Sequence, residues 1–166
     1  MKPAILYLDV DEVIIRQVHT REEHQVHVRN GLWKGIPAPG AKEFLEFILP
    51  WFEVRWLTSW AGRGRMNARD AAYLEKAIGL PMRVFHSVIQ NPLGWRNGDL
   101  GKPQGIDFAD PRPAVWVEDG VPPDEMAYFE EKRRPDQQYF WVDTTWHPST
   151  LQQLLDRWKI NLPFTP

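Results

Sequence analysis

Apolar and β-branched residues recur in five short runs along the chain, and each run has the length and composition of a buried strand. Amphipathic stretches with helical spacing lie between these runs, a pattern typical of a mostly parallel sheet with helices on both faces. We therefore predict an α/β fold, a three-layer α/β/α sandwich around a mostly parallel five-stranded sheet. The predicted strands cover residues 4–8, 53–57, 82–86, 114–118 and 138–142.

Four helices are predicted from apolar residues that lie three and four positions apart. The first follows Pro39 and Gly40, and the last opens with a capping-box pattern that starts at Ser149. Their alternation with the strands makes the expected arrangement Rossmann-like. The first three helices are predicted over residues 41–51, over 66–78 and from 123 to just before 135.

The segment 15–37 fits neither the helical nor the strand period and carries three histidines. We predict that it forms a small flap or hairpin, and its length leaves no room for a large cap. His19, His24 and His27 could in principle ligate zinc. Because there is no cysteine and no clear carboxylate partner, we favour exposed flap residues.

Composition narrows the class of protein. The length of 166 residues suits one domain, which we predict over residues 1–166. The chain has no cysteine, which excludes disulfides, thiolate nucleophiles and cysteine zinc sites. No apolar stretch approaches the roughly 20 residues that span a bilayer, and the first residues lack the apolar core of a signal peptide. We therefore expect a cytoplasmic protein without membrane partners; a net charge of −2 still allows a local basic patch for nucleic acid.

Two carboxylates, Asp9 and Asp11, directly follow the first predicted strand. Open α/β folds place their ligands at the carboxyl edge of the sheet, so these acids have an active-site position. Close acids repel each other unless a positive group, usually a divalent cation, lies between them. The alternative interpretation is a strand that runs into an acidic turn.

A second strand ends in acids, at Glu118 and Asp119, and Asp124 follows shortly afterwards. In a doubly wound sheet this strand could end at the same edge as the first. Oxygen ligands from two strand ends would form a Mg²⁺ site that keeps several waters and a substrate phosphate. Taken alone, the motif could also be a turn with a helix cap at Asp124.

Two further elements suit a phosphate group. Thr58 and Ser59 end a strand, and their hydroxyls and the backbone N–H groups beyond them could bind phosphate oxygens. Lys102 lies in a Gly-Lys-Pro loop, where its ammonium could neutralise both carboxylates and phosphate. In isolation the hydroxyls are more typical of a helix cap, and a loop lysine is usually solvated.

The order of these four motifs resembles that of the haloacid dehalogenase-like phosphohydrolases over residues 4–143. The resemblance implies a Mg²⁺-dependent phosphatase in which Asp9 is the nucleophile and forms an aspartyl-phosphate. Asp11 would protonate the leaving oxygen, activate the hydrolytic water and face Mg²⁺ through its carbonyl. Thr58 would hydrogen-bond the phosphoryl group, and Lys102 would balance its charge.

The resemblance also implies roles for the neighbouring residues. Backbone N–H groups near Ser59 and Trp60 would help to bind the phosphoryl group. Asp119 would bind Mg²⁺ directly or through water, with Asp124 or Glu118 orienting that shell. The chain departs from the common pattern where Glu12 replaces a frequent glycine and where Glu118-Asp119 leaves the metal ligand ambiguous by one residue.

The resemblance implies a phosphomonoester substrate, and an open, capless site would favour an extended one such as a nucleotide or a nucleic-acid end. The Trp-containing strand ends are similar to those of the phosphatase-like domain of Swiss-army-knife RNA-repair proteins. Arg63 and Arg65, with Trp60, could bind a nucleic-acid backbone and a base; the alternative is a solvated helix face. Two other functions stay open: a non-catalytic phosphate- or protein-binding module of this fold, and a simple cation site in a structural domain.

Overall fold

The central element of the fold is a parallel four-stranded sheet. The computed structural model describes residues 3–17, 26–28, 33–58, 68–81 and 101–164. Within these residues each neighbouring pair of strands in the sheet is parallel. The α/β class is therefore confirmed, whereas the strand predicted over 82–86 lies outside the described residues. In their order across the sheet, the four strands are β5 (Phe52–Trp56), β1 (Ala4–Leu8), β6 (Ala114–Glu118) and β7 (Gln137–Trp141).

Helices cover both faces of this sheet, as expected for a Rossmann-like arrangement. Even-numbered side chains of β1, such as Leu6 and Leu8, pack in one apolar cluster with α1, α2 and α4. Odd-numbered side chains, such as Ile5 and Tyr7, pack in a second cluster with Phe129 of α3. The helices are α1 (Ala41–Ile48), α2 (Ala68–Ile78), α3 (Pro123–Lys132) and α4 (Thr150–Ile160), and a 3₁₀ helix covers Lys102–Gly105.

Two helix predictions need correction at their ends. Helix α1 ends at Ile48 and not at residue 51, because Pro50 lacks the N–H that would continue the helical hydrogen bonds. Helix α4 begins at Thr150 as expected, but Ser149 forms no capping hydrogen bond. Instead the Thr150 hydroxyl donates to the carbonyls of Asp143 and His147, both at 2.9 Å.

The segment 15–37, predicted as a small flap or hairpin, contains a second, antiparallel sheet with one strand more than a hairpin has. Its strands are β2 (Ile15–Gln17), β3 (Val26–Val28) and β4 (Trp33–Pro37), with β4 in the centre. Strands of three residues are too short to show a period of two. Their pairing comes from β4, which contacts both neighbours in register.

An ion-pair network lies at the amino end of the main sheet, where β5 and β6 begin, and so opposite the carboxyl edge. The Arg112 guanidinium donates to Asp110 at 2.9 and 2.7 Å and also to Glu53. Hydrogen bonds from Arg112 hold the pKa of the Asp110 carboxyl well below its usual value. This network is remote from the carboxyl edge of the sheet.

None of the helices among the described residues is both long and apolar enough to cross a membrane.

Candidate functional site

Two acidic side chains meet at the carboxyl edge of the sheet. Leu8 of β1 lies in register with Val117 of β6, so the next residues, Asp9 and Glu118, are adjacent. The Asp9 N–H donates to the Val117 carbonyl at 3.2 Å, which extends the parallel pairing by one residue. Side chains in register on parallel strands leave the same face. Both carboxylates are therefore on the α3 side, and both are buried, at 1% and 0% exposure.

Lys102 joins these two carboxylates. Its Nζ donates to Asp9 Oδ2 at 2.6 Å and to both carboxylate oxygens of Glu118 at 2.8 Å. Burial lowers the pKa of Lys102, but the charges and hydrogen bonds of Asp9 and Glu118 outweigh it, and the net pKa is raised. Lys102 is therefore a fixed ammonium at this edge.

The loop before Lys102 requires a glycine. Gly101 has φ +59° and ψ −146°, a region that is essentially restricted to glycine. An added Cβ would lie 2.0 Å from Oε1 of Glu125. The same carboxylate accepts the Lys102 backbone N–H at 3.2 Å. Helix α3 thus fixes the backbone from which the Lys102 side chain extends.

The two oxygens of Asp9 have unlike surroundings. Oδ2 accepts the hydrogen bond from Lys102, whereas Oδ1 is buried and has no hydrogen-bond partner among the described residues. A buried acceptor without a partner is costly in free energy. It suits a ligand that supplies positive character, such as a cation or the phosphorus of a phosphate ester.

Asp9, Glu118 and Asp119 form a group that could hold a metal ion. Each offers a carboxylate oxygen, and these oxygens lie within 4.8 Å of one another. Hard oxygen ligands of this kind suit Mg²⁺. Burial, and next the charge of Asp9, raise the pKa of Glu118, while Lys102 opposes them. Three carboxylates against one ammonium leave an excess of negative charge that a divalent cation would balance.

Glu12 belongs beside this group, although the sequence did not single it out as a site residue. Its carboxyl group lies within hydrogen-bonding distance of that of Asp119. Burial, and after it Asp119, Asp143 and Asp11, raise the pKa of Glu12 to about 7. The only signal in the sequence is a third acid directly after Asp11. Sequence reasoning treated that acid as a departure from a common glycine.

The other predicted residues lie as follows. Thr58 is buried two residues beyond β5, at the same edge of the sheet as Asp9. Asp11 is partly buried next to Glu12, and Asp124 is exposed in the first turn of α3; neither is a member of the three-residue group. Other predictions fall on side chains outside the described residues, namely those of Ser59, Trp60, Arg63, Arg65, His19, His24 and His27.

The segment after β7 also flanks the site. Thr144 donates both its N–H and its hydroxyl to the Glu12 carbonyl, each at 2.6 Å. Asp143 Oδ1 accepts the N–H groups of Thr145 and Trp146 at 3.0 Å. This turn leaves the Trp146 side chain 71% exposed. The exposed Trp146 ring is thus two residues along the chain from Thr144, which contacts the acidic turn at Glu12.

No protein-family model matches this chain, and no curated protein matches it either. The function is therefore inferred from the geometry of the site and from the motifs that form it.

Proposed function

We propose that this protein is a Mg²⁺-dependent phosphatase of the haloacid dehalogenase-like type, in which Asp9 is the nucleophile. The observation that carries the proposal is the unequal pair of oxygens on Asp9. Lys102 holds Oδ2, and the buried Oδ1 has no partner among the described residues. A carboxylate fixed in this way has one oxygen oriented for in-line attack on phosphorus.

In the first step, Asp9 Oδ1 forms a bond to phosphorus while the bond from phosphorus to the ester oxygen breaks. Asp11 gives its proton to the departing oxygen, which leaves as an alcohol. In the second step, Asp11 takes a proton from water, whose oxygen attacks phosphorus. The bond to Asp9 then breaks, and inorganic phosphate is released with the carboxylate restored.

The remaining residues position and balance the charges. Lys102 neutralises Asp9 and the transferring group, and the Thr58 hydroxyl donates to a phosphoryl oxygen. Asp9, Asp119 and the carbonyl of Asp11 would hold Mg²⁺. The metal, when bound, would offset the negative charge of the phosphoryl oxygens. The carboxylates in the three-residue group fit such an ion because they are hard ligands in negative excess.

For the substrate, we propose a nucleotide or a nucleic-acid end. The exposed Trp146 ring supports a substrate that carries a base, because stacking of a base on an aromatic side chain is worth about 1–3 kcal/mol. The sequence adds Arg63 and Arg65, which are proposed to bind the nucleic-acid backbone. The cytoplasmic location and the capless arrangement of a single domain also remain proposals.

The experiment is a turnover assay with an aryl phosphate and with 3′- and 5′-phosphorylated oligonucleotides, in Mg²⁺ and in EDTA. We expect Mg²⁺-dependent phosphate release that Asp9→Asn abolishes. Asp156→Asn makes the same change on an exposed face of α4 and serves as the matched control. Absence of turnover across a broad panel of phosphate esters contradicts the proposal, and phosphate binding without turnover would favour the non-catalytic module instead.

A further inference from the structure

Glu12 has a backbone conformation that favours glycine. Its φ is +58°, and it is the one non-glycine residue with positive φ in the part of the chain that the structure describes. A side chain at such a position costs free energy because Cβ approaches the following carbonyl. A residue of this kind is retained where its side chain has a use.

The turn itself does not need the Glu12 side chain. The Glu12 N–H donates to the Ile15 carbonyl at 2.7 Å, and its carbonyl accepts two hydrogen bonds from Thr144. All three bonds involve only the backbone of residue 12. Glycine would form the same bonds and would do so without strain. The reason for a glutamate therefore lies in its carboxylate.

That carboxylate is directed at Asp119. The two carboxyl groups lie within hydrogen-bonding distance of each other, and Asp119 is a member of the group with Asp9 and Glu118. Glu12 is not itself a member, so it reaches the group through Asp119. An independent observation points to a ligand within the group, because Asp9 is 1% exposed and its Oδ1 has no hydrogen-bond partner among the described residues.

We propose that Glu12 is a positioning residue for a divalent cation, fixing the Asp119 carboxylate and accepting hydrogen bonds from water on the ion. Residues that orient metal ligands in this way typically contribute about 10- to 100-fold to metal affinity. This inference rests on the metal site of the proposed function but not on its phosphoryl chemistry.

The test measures Mn²⁺ binding by electron paramagnetic resonance, with Mg²⁺ as competitor, in the full chain. We compare Glu12→Gly, Glu12→Gln and the control Glu46→Gln, which removes one exposed charge on α1. We expect Glu12→Gly to weaken Mn²⁺ binding at least about tenfold. Glu12→Gln, which keeps a hydrogen bond to Asp119, should recover most of the affinity, and Glu46→Gln should match the wild type.

Thermal unfolding in EDTA separates positioning from folding. Because Gly adopts φ +58° without strain, Glu12→Gly should unfold at the same temperature as the wild type or higher. A lower unfolding temperature, or Mn²⁺ affinity equal to that of the wild type, overturns the proposal. Absence of Mn²⁺ binding in the wild type overturns both this inference and the metal site. Glu12-dependent binding combined with turnover that survives Asp9→Asn contradicts only the proposed nucleophile.

Discussion

Removal of the Lys102 ammonium should destabilise the metal-free protein, because two buried carboxylates would lose their common partner. Asp9 and Glu118 have 1% and 0% exposure, and three hydrogen bonds of 2.6–2.8 Å connect them to Nζ. Removing one member of a buried ion pair costs about 3–5 kcal/mol. Proton uptake by Glu118, whose pKa is already raised by burial and by Asp9, places the expected loss near the lower end.

The size of this loss is large relative to the whole fold. Domains of this length have a free energy of unfolding of about 5–15 kcal/mol. A change of 1 kcal/mol moves the unfolding temperature of such a chain by about 2–4 °C. Lys102→Met, which keeps most of the apolar stem, should therefore lower the unfolding temperature by roughly 6–12 °C.

The assay is urea and thermal unfolding at pH 7 in EDTA. Lys132→Met is the matched control, because that lysine is exposed and pairs with Glu131 at the surface, and its midpoint should not change measurably. The double variant Lys102→Met/Glu118→Gln should recover stability, since one unpaired charge is gone. A loss below about 1 kcal/mol in Lys102→Met, or a double variant as unstable as the sum of its parts, would refute the reasoning.

Three further predictions follow from other parts of the structure. The pKa of Asp110 is held below its usual value by Arg112, so the stabilising contribution of Asp110 is complete above about pH 4 and is lost as the pH falls through the folded-state pKa. Between pH 7 and 2.5, the urea midpoint of Asp110→Asn should therefore fall less steeply than that of the wild type. Gly101→Ala should lower both stability and turnover, because a Cβ would collide with Glu125 and φ would be strained; circular dichroism melts and phosphate release measure this. Trp146→Ala should raise KM for an oligonucleotide phosphate but not for glycerol phosphate, and equal changes on both would contradict base stacking.

The elements that the sequence predicts well are those with a strong local pattern. The four strands of the main sheet begin within one residue of prediction, and the acidic strand ends at Asp9 and Glu118 meet as parallel pairing requires. Their meeting follows from topology, because the carboxyl ends of neighbouring parallel strands share one edge. Lys102 was predicted to lie near these acids from its place in the motif order, and the structure brings it into contact with both.

The elements that the sequence does not predict depend on contacts between distant residues. Thr144 contacts the Glu12 carbonyl across 132 positions, and no local pattern carries that information. Glu12 stands out only through its positive φ in the structure, because a glutamate in a sequence gives no sign of such a backbone conformation. The capping-box prediction is wrong for a local reason, because the Thr150 hydroxyl bonds to the carbonyls of the preceding turn and the Ser149 side chain accepts from Gln153 instead.

The ambiguity between Glu118 and Asp119 is reduced by the geometry of the strand end. Glu118 is the last residue of β6, lies on the α3 face, and uses both of its oxygens to hold Lys102. Asp119 follows the strand, remains partly exposed, and lies beside the Glu12 carboxyl group. An oxygen that already accepts from an ammonium at 2.8 Å is a poorer ligand for a second cation than one that does not. We therefore expect Glu118 to position Lys102, and through it Asp9, while Asp119 is the direct ligand of the metal.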